Sequence, residues 1–464
     1  MLSGDKMNNK LDISQQMATT SVWKLMVKLS IPAILAQIVN LLYNVVDRIY
    51  IGHMDNVGTV ALTGVGLCVP VITLISAFTM LVAQGGAPRA AIEMGKGDIN
   101  KAEKILGNCF VLLVMFAIIL TAVFMIFGEK LLMLFGASEE TIIYALPYMQ
   151  IYSAGSIFVM ISLGLNMFIT TQGFTKISMA TVLIGAICNI ILDPIFIFGF
   201  NMGVAGAAIA TIISQAVSAV WVLSFLLGKQ TKLKIKKENL LPSAKILLPV
   251  FALGISPFIM NATEAVINIS FNSSLQKYGG DIAVGAMTIC TTVFQMAWVP
   301  AQGIGQGAQP IISYNYGARN ADRVKQAFKA FLIICFTYVF VFGALIELFP
   351  QFFINIFNDN PALVDTATWS IRLYGCAMTF FGIQMAIQQT FIALGKAKAS
   401  LFIACLRKVI LLVPLIYILP NFFEDKVFAV FLAEPVSDAI SIITASIVFF
   451  FVFRKEMKLM KTEN

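Results

Sequence analysis

Charge is scarce in these 464 residues. Asp, Glu, Lys and Arg supply 12% of the chain, about half the share found in an ordinary soluble domain. Hydrophobic residues supply 59%, and the mean hydropathy is +0.86. Polar interruptions are missing as well: from Ile105 to Gly128 no charged residue occurs. A spanning helix needs about 20 such residues, whereas a soluble core helix would break the run with a polar face. A soluble fold is thereby excluded, and the chain reads as an all-α integral membrane protein. Histidine is nearly absent, with His53 alone, and no GxSxG, HExxH or P-loop occurs, so the chain reads as no enzyme and draws on no ATP of its own. The seven cysteines stand singly with no CxxC spacing, which excludes a disulfide framework and a zinc site and leaves small buried side chains. The first 24 residues lack an apolar stretch, so no cleavable signal peptide is expected. No cofactor is expected either.

What is present are long apolar blocks, read as twelve spans: 25–51, 60–86, 105–127, 141–165, 177–199, 203–228, 246–274, 282–305, 330–348, 364–388, 399–420 and 427–453. The basic residues test that division. Of the 32 lysines and arginines, Lys130, Lys277 and Lys426 lie on one face and Arg48, Arg372, Arg407 and Lys408 fall within spans; all the others collect on the opposite face. Basic residues concentrate on the cytoplasmic side, so both termini are expected in the cytoplasm of a multi-pass cell-membrane protein. The net charge of +8 thus reports topology and calls for no nucleic acid. Halfway along, residues 229–245 carry six lysines and read as a solvated cytoplasmic linker, with anionic lipid as the alternative contact.

The two sides of that linker repeat each other. Gln84-Gly85, Pro88 and Gly95 return 222 residues later as Gln306-Gly307, Pro310 and Gly317; at the same offset Tyr152 meets Tyr374, and Gly173, Lys176 and Ser178 meet Gly395, Lys398 and Ser400. A constant offset over more than a hundred residues marks a duplication. Six spans per copy bring the second copy in from the same side, so the expected architecture is two pseudo-symmetric six-helix bundles, 1–228 and 246–464, with a cavity between parallel repeats.

Ionisable groups at bilayer depth cost at least ~2.5 kcal/mol and are retained for a function or hidden by a partner. Span one places Gln37, Asn40, Asn44 and Asp47 on one narrow helical face, and span seven places Asn261, Glu264, Asn268 and Asn272 similarly. Helix–helix hydrogen bonding is the plainer account of the amides. Span five stacks Asn189 on Asp193 at i, i+4, and Pro194 cannot donate to the carbonyl of Ile190. Asp193 and Thr211 each stand nine residues from the turn near Met202, hence at one depth, and Asp47 lies five residues before Gly52. Two carboxylates, an amide, a hydroxyl and a freed carbonyl in one layer suit a hard cation such as Na+ or a proton. The second half lacks these aspartates. Glu434 and Asp438 in span twelve, with Arg407 and Lys408 in span eleven, read as a structural salt bridge. Glu264, with no basic partner evident in sequence, ranks next as a functional acid.

These features resemble the multidrug and toxic compound extrusion (MATE) family, nearest to its DinF-like and MepA-like branches. The resemblance covers nearly the whole chain and is sharpest at KLSIPAILAQIVNLLYNVVDRIYIG and PRAAIEMGKGDINKAEKIL. It implies multidrug efflux driven by protons or sodium. Asp47, Asn189, Asp193 and Thr211 would then form the coupling site, and Pro32 the point where span one bends. The NorM-like branch relies on a span-ten aspartate, and here only Asp365 occurs, at the edge of span ten; the span-seven acid has a counterpart in Glu264. The implied partners are amphipathic, often cationic small molecules and the lipid bilayer, and the chain is expected to work as a monomer. Phe (38) and Met (22) are numerous enough to line an adaptable apolar cavity. The rival expectations are a lipid-linked precursor flippase of the same superfamily and, further off, a membrane-embedded enzyme or receptor.

Overall fold

A computed structural model describes residues 13–52, 54, 58–357 and 361–462, apart from the side chains of 13–15, 44, 58, 59 and 265. His53 and the Asn44 side chain therefore lie outside the described residues. Helices and turns, and no strand, make up the described chain. Long apolar helices run over Val22–Gly52, Val60–Gly95, Ile99–Leu134, Thr175–Gly199, Gly203–Leu227, Ala321–Leu348, Ala397–Asn421 and Lys426–Thr462. Ala244–Gly317 holds two more spans, parted at Gly280, whose φ of 63° a side chain would resist. Span four is Glu139–Ala154 joined to Ser156–Thr171 with a 53° bend. Span ten is interrupted between Gly375 and Phe381, at the repeat-related place. The twelve-helix, two-bundle architecture expected from hydropathy is the one found.

Two compact units emerge from the contacts: Met1–Thr19 with Leu35–Gly254, and Thr20–Ile34 with Ile255–Asn464. These boundaries differ from the division at the linker read from the sequence, because each unit takes in the entering half of the other repeat's first span. In unit 1, a Cβ on Gly254 would meet the Leu81 carbonyl oxygen at 1.8 Å, and one on Gly85 the Val250 carbonyl oxygen at 2.2 Å. In unit 2, a Cβ on Gly303 would meet Ile34 Cα at 2.6 Å, and one on Gly307 would meet Ser30 Oγ at 2.4 Å. Helices associate in lipid through such small-residue contacts, where backbones approach closely. Gly85 and Gly307 belong to the repeated Gln-Gly element, so the duplication preserves a helix crossing. The boundary in span one falls two residues after Pro32, which is buried within the helix Val22–Gly52. The residue at which the resemblance implies a bend thus stands two residues before the place where the helix passes from one unit to the other.

The linker is not simply solvated. Thr231, Leu233 and Asn239 are buried, and Gln172 Oε1 accepts from Thr231 Oγ1 at 2.9 Å, Lys232 N–H at 2.9 Å and Leu233 N–H at 3.0 Å. Lys234 N–H donates to Glu103 Oε1 at 3.2 Å, and Ser243 N–H to Asn108 Oδ1 at 2.7 Å. Lys236 Nζ lies 2.5 Å from Glu103 Oε2, and that hydrogen bond holds its pKa above the ordinary lysine value. The lysine count hid this docking, because most of the contacts use backbone N–H groups and the buried Thr231 rather than the lysine charges. Gln172→Leu should destabilise unit 1 by about 2–4 kcal/mol, since each buried donor left unpaired costs about 1–3 kcal/mol. A lowered unfolding temperature and faster tryptic cleavage within 229–245 would register it, while Gln172→Glu, which keeps the acceptor, should lose less. Unchanged cleavage in Gln172→Leu would show that the strap is held elsewhere.

Candidate functional site

Span five carries the polar pair of unit 1. Asn189 and Asp193 are one turn apart on Thr175–Pro194 and are buried, at 2% and 0% exposure. A π-helical segment, Ile195–Gly199, follows Pro194 directly, and span six returns as Gly203–Leu227. Asn189 Nδ2 donates to Asp193 Oδ1 at 2.9 Å and reaches buried Thr211 Oγ1 at 3.4 Å. The amide rather than the carboxylate meets the threonine, one turn from the equal-depth pairing of Asp193 with Thr211. Wide turns such as Ile195–Gly199 recur at functional sites.

Asp47 belongs to the same unit and is half-buried near the Gly52 end of span one. Its charge bears on Asp193 and on buried Tyr148, which stacks on Tyr152 with ring centroids 6.3 Å apart. Asp47 Oδ1, Asn189 Oδ1 and Asp193 Oδ2 are buried with no hydrogen-bond partner, and neither aspartate enters an ion pair among the described residues. Three buried polar groups and half-buried Asp47, with three unsatisfied oxygens among them, form an arrangement that favours an added proton or small cation, since an unmet buried acceptor is costly. Tyr148 was missed in sequence reasoning. Its place one turn before the repeat marker Tyr152 was the available signal.

The structure brings together Asn189, Asp193 and Thr211, with Asp47 near them; the remaining candidates are more scattered. Gln37 and Asn40 are half-buried on span one. In unit 2 Asn261 turns its amide to the Pro257 carbonyl of its own helix, 2.8 Å away, and Asn268 and Asn272 are exposed. Glu264 does have a basic partner, contrary to the sequence reading. Lys408 Nζ pairs with it and also donates to the Met260 carbonyl at 2.9 Å. No chain connection limits which span packs on span seven, so sequence spacing could not supply this partner. Arg407 pairs with Glu434 at 2.8 Å and with Asp438 at 2.5 Å, as the antiparallel hairpin of spans eleven and twelve suggests.

A cavity of about 500 Å³ opens at the end of unit 1 where spans five and six turn, lined by Met54, Tyr144, Pro147, Ile197, Phe198 and Met202. Ile197 lies one turn beyond Asp193, so this cavity reaches the level just past the carboxylate. No group of three or more His, Cys, Asp or Glu suited to a metal ion occurs among the described residues.

Known proteins give the same architecture. The chain is 24% identical over 426 residues to the multidrug export protein MepA of Staphylococcus haemolyticus, covering 90% of this chain and 92% of that protein. It is 25% identical over 421 residues to MepA of Staphylococcus saprophyticus, covering 87% and 88%. Among solved structures it superposes on a MATE protein in the bent conformation with a TM-score of 0.89 at 23% identity, covering 98% of this chain and 99% of the other. An outward-facing multidrug resistance MATE family transporter of the MOP superfamily gives 0.87 at 23% identity, covering 96% and 98%. The MatE family model matches twice, at residues 32–195 and 257–418. Its two copies fall on the two halves that the internal offset marks and begin at Pro32 and Pro257, and by that double match the chain belongs to the MatE family.

Proposed function

We infer that this chain is a secondary active multidrug efflux antiporter, a transporter and not an enzyme. It expels amphipathic or cationic organic compounds from the cytoplasm in exchange for protons or sodium by alternating access. The observation that carries the reading is the buried Asn189–Asp193–Thr211 cluster beside Asp47, with unmet oxygens and no paired base among the described residues. The name of the MepA relatives, multidrug export protein, supports the substrate class. With both aspartates ionised, the site repels itself; a proton or sodium ion relieves that repulsion. The ion thereby favours one arrangement of span one and substrate favours another, which is the differential affinity that coupling needs. Pro32, where no backbone N–H restrains the helix, is the position at which span one bends. Glu264 is a secondary contributor, through its exposed carboxylate.

Exporting one monovalent cation against 100 mV costs ~2.3 kcal/mol, so exchange for a single proton, which is electroneutral, draws on the pH gradient alone. Efflux of a cationic dye from vesicles under an imposed pH gradient, and separately under a sodium gradient, tests the reading and separates the ions. Efflux indifferent to both gradients would sink it. A lipid-linked precursor flippase would need cations free to meet a pyrophosphate, yet Arg407 and Lys408 are each engaged by acids.

Both termini and the linker face the cytoplasm in this account. A cysteine placed within 229–245 should react only with reagents that reach the cytoplasm, and one placed at Asn358, outside the described residues, only from the outer face. Labelling of both from one face would end the twelve-span topology.

A further inference from the structure

In unit 2 the charged side chains of Glu264, Arg407, Lys408, Glu434 and Asp438 gather around a second π-helical segment, Leu406–Leu412 of span eleven. Arg407 Nε donates to Asp438 Oδ1 at 2.5 Å and Nη2 to Glu434 Oε1 at 2.8 Å. The ring of Phe381 packs on the guanidinium, 4.4 Å from its centroid, and Ser437 Oγ donates to the Arg407 carbonyl at 2.8 Å. Lys408, the next residue in the widened turn, goes to Glu264 and the Met260 carbonyl instead. Two adjacent cations thereby reach different acids.

The charges do not balance. Lys408 and Glu264 neutralise each other, and the Glu264 side chain is 57% exposed. Behind it Glu434 and Asp438, 6% and 1% exposed, share the single guanidinium of Arg407. With both ionised, one negative charge is left over inside the membrane. Glu434 Oε2 and Asp438 Oδ2 are also buried with no hydrogen-bond partner. Among the described residues no further base faces the pair beyond Lys408, which Glu264 already engages. Span ten presents Tyr374 and Cys376; Glu347, at the end of span nine, has the exposed Arg372 as its own neighbour. Removing such a charge from water costs several kcal/mol unless it is paired, so the site favours one added monovalent cation.

We propose that Glu434, Asp438 and Arg407 form a monovalent-cation site belonging to unit 2, and that the cation held there at neutral pH is one proton shared by the two carboxyls. The site uses the repeat partners of the helices that carry the cluster in unit 1. Glu434 stands 223 residues after Thr211, the same offset that separates the ends of the two family matches, 195 and 418. The chemistry differs, because only this copy brings its own bases. The inference goes beyond the coupling role assigned to unit 1 and does not depend on it.

Infrared spectroscopy of the full chain in lipid nanodiscs reads the proton directly, through the carbonyl band of a protonated carboxyl at neutral pH. Glu434→Gln and Asp438→Asn should each remove one carboxyl's share of that band, because the single carboxylate left is balanced by Arg407. The Asp47→Asn/Asp193→Asn double variant, which leaves unit 2 intact, should keep that share even where neither unit 2 variant folds. Replacing potassium by sodium at fixed pH should leave the band unchanged. A wild-type band equal to that of both unit 2 variants, its absence from the double variant, or its loss in sodium would each overturn the assignment.

Discussion

Asp193→Asn is expected to abolish gradient-driven efflux while the protein remains folded in the membrane. Amide and carboxylate are nearly equal in size, so packing around span five is retained. What is lost is a titratable, charge-bearing oxygen at the centre of the cluster: the amide can keep a hydrogen bond with Asn189, 2.9 Å away, but cannot carry a proton or balance a cation. Asn272→Ala, 225 residues after Asp47 and matching it between the starts of the two family matches, should be mild, because Asn272 is exposed and stands among no such cluster. Efflux of a cationic dye at a fixed imposed gradient, with the amount of protein in the membrane measured alongside, checks both. Equal losses from the two replacements would contradict an ion site confined to unit 1.

Asp47 and Asp193 are expected to behave as one unit. The charge of Asp47 bears on Asp193, each keeps a buried oxygen with no partner, and neither has a paired base among the described residues. Interacting sites of this kind exchange protons as a pair, with apparent constants that belong to neither residue alone. Either single replacement by Asn should therefore remove most ion-driven transport, and the double replacement should cost little beyond that, because coupled residues are non-additive. A double variant whose loss is the product of the two single losses would assign the carboxylates separate tasks.

Much of this architecture is legible in the sequence. Hydropathy places the spans because each must satisfy its backbone within the helix, and the 222-residue offset marks the halves. The i, i+4 spacing of Asn189 and Asp193, with hairpin counting to Thr211, placed those three side chains together. Other features were not readable, for identifiable reasons. Gly85 and Gly307 were visible as a repeated element, but the helix that each admits comes from the distant Val250 and Ser30 regions, which no local pattern specifies. Lys408 as the partner of Glu264 depends on spans seven and eleven packing together across more than a hundred residues. The docked linker was hidden because its anchors, Gln172 and Glu103, lie in earlier connections and its own buried residues are few.

The central claim is that transport of the organic compound and binding of the ion in unit 1 are linked. Linkage is reciprocal: whatever the ion gradient does to substrate, a substrate gradient must do to the ion. The most direct measurement imposes a gradient of a lipophilic cation across proteoliposomes containing the purified chain, with no starting ion gradient, and records pH and sodium inside. Substrate running down its gradient should drive protons or sodium the opposite way in the wild type, and Asp193→Asn should show no such countermovement. Substrate passing through the wild-type protein with neither ion moving would contradict the account.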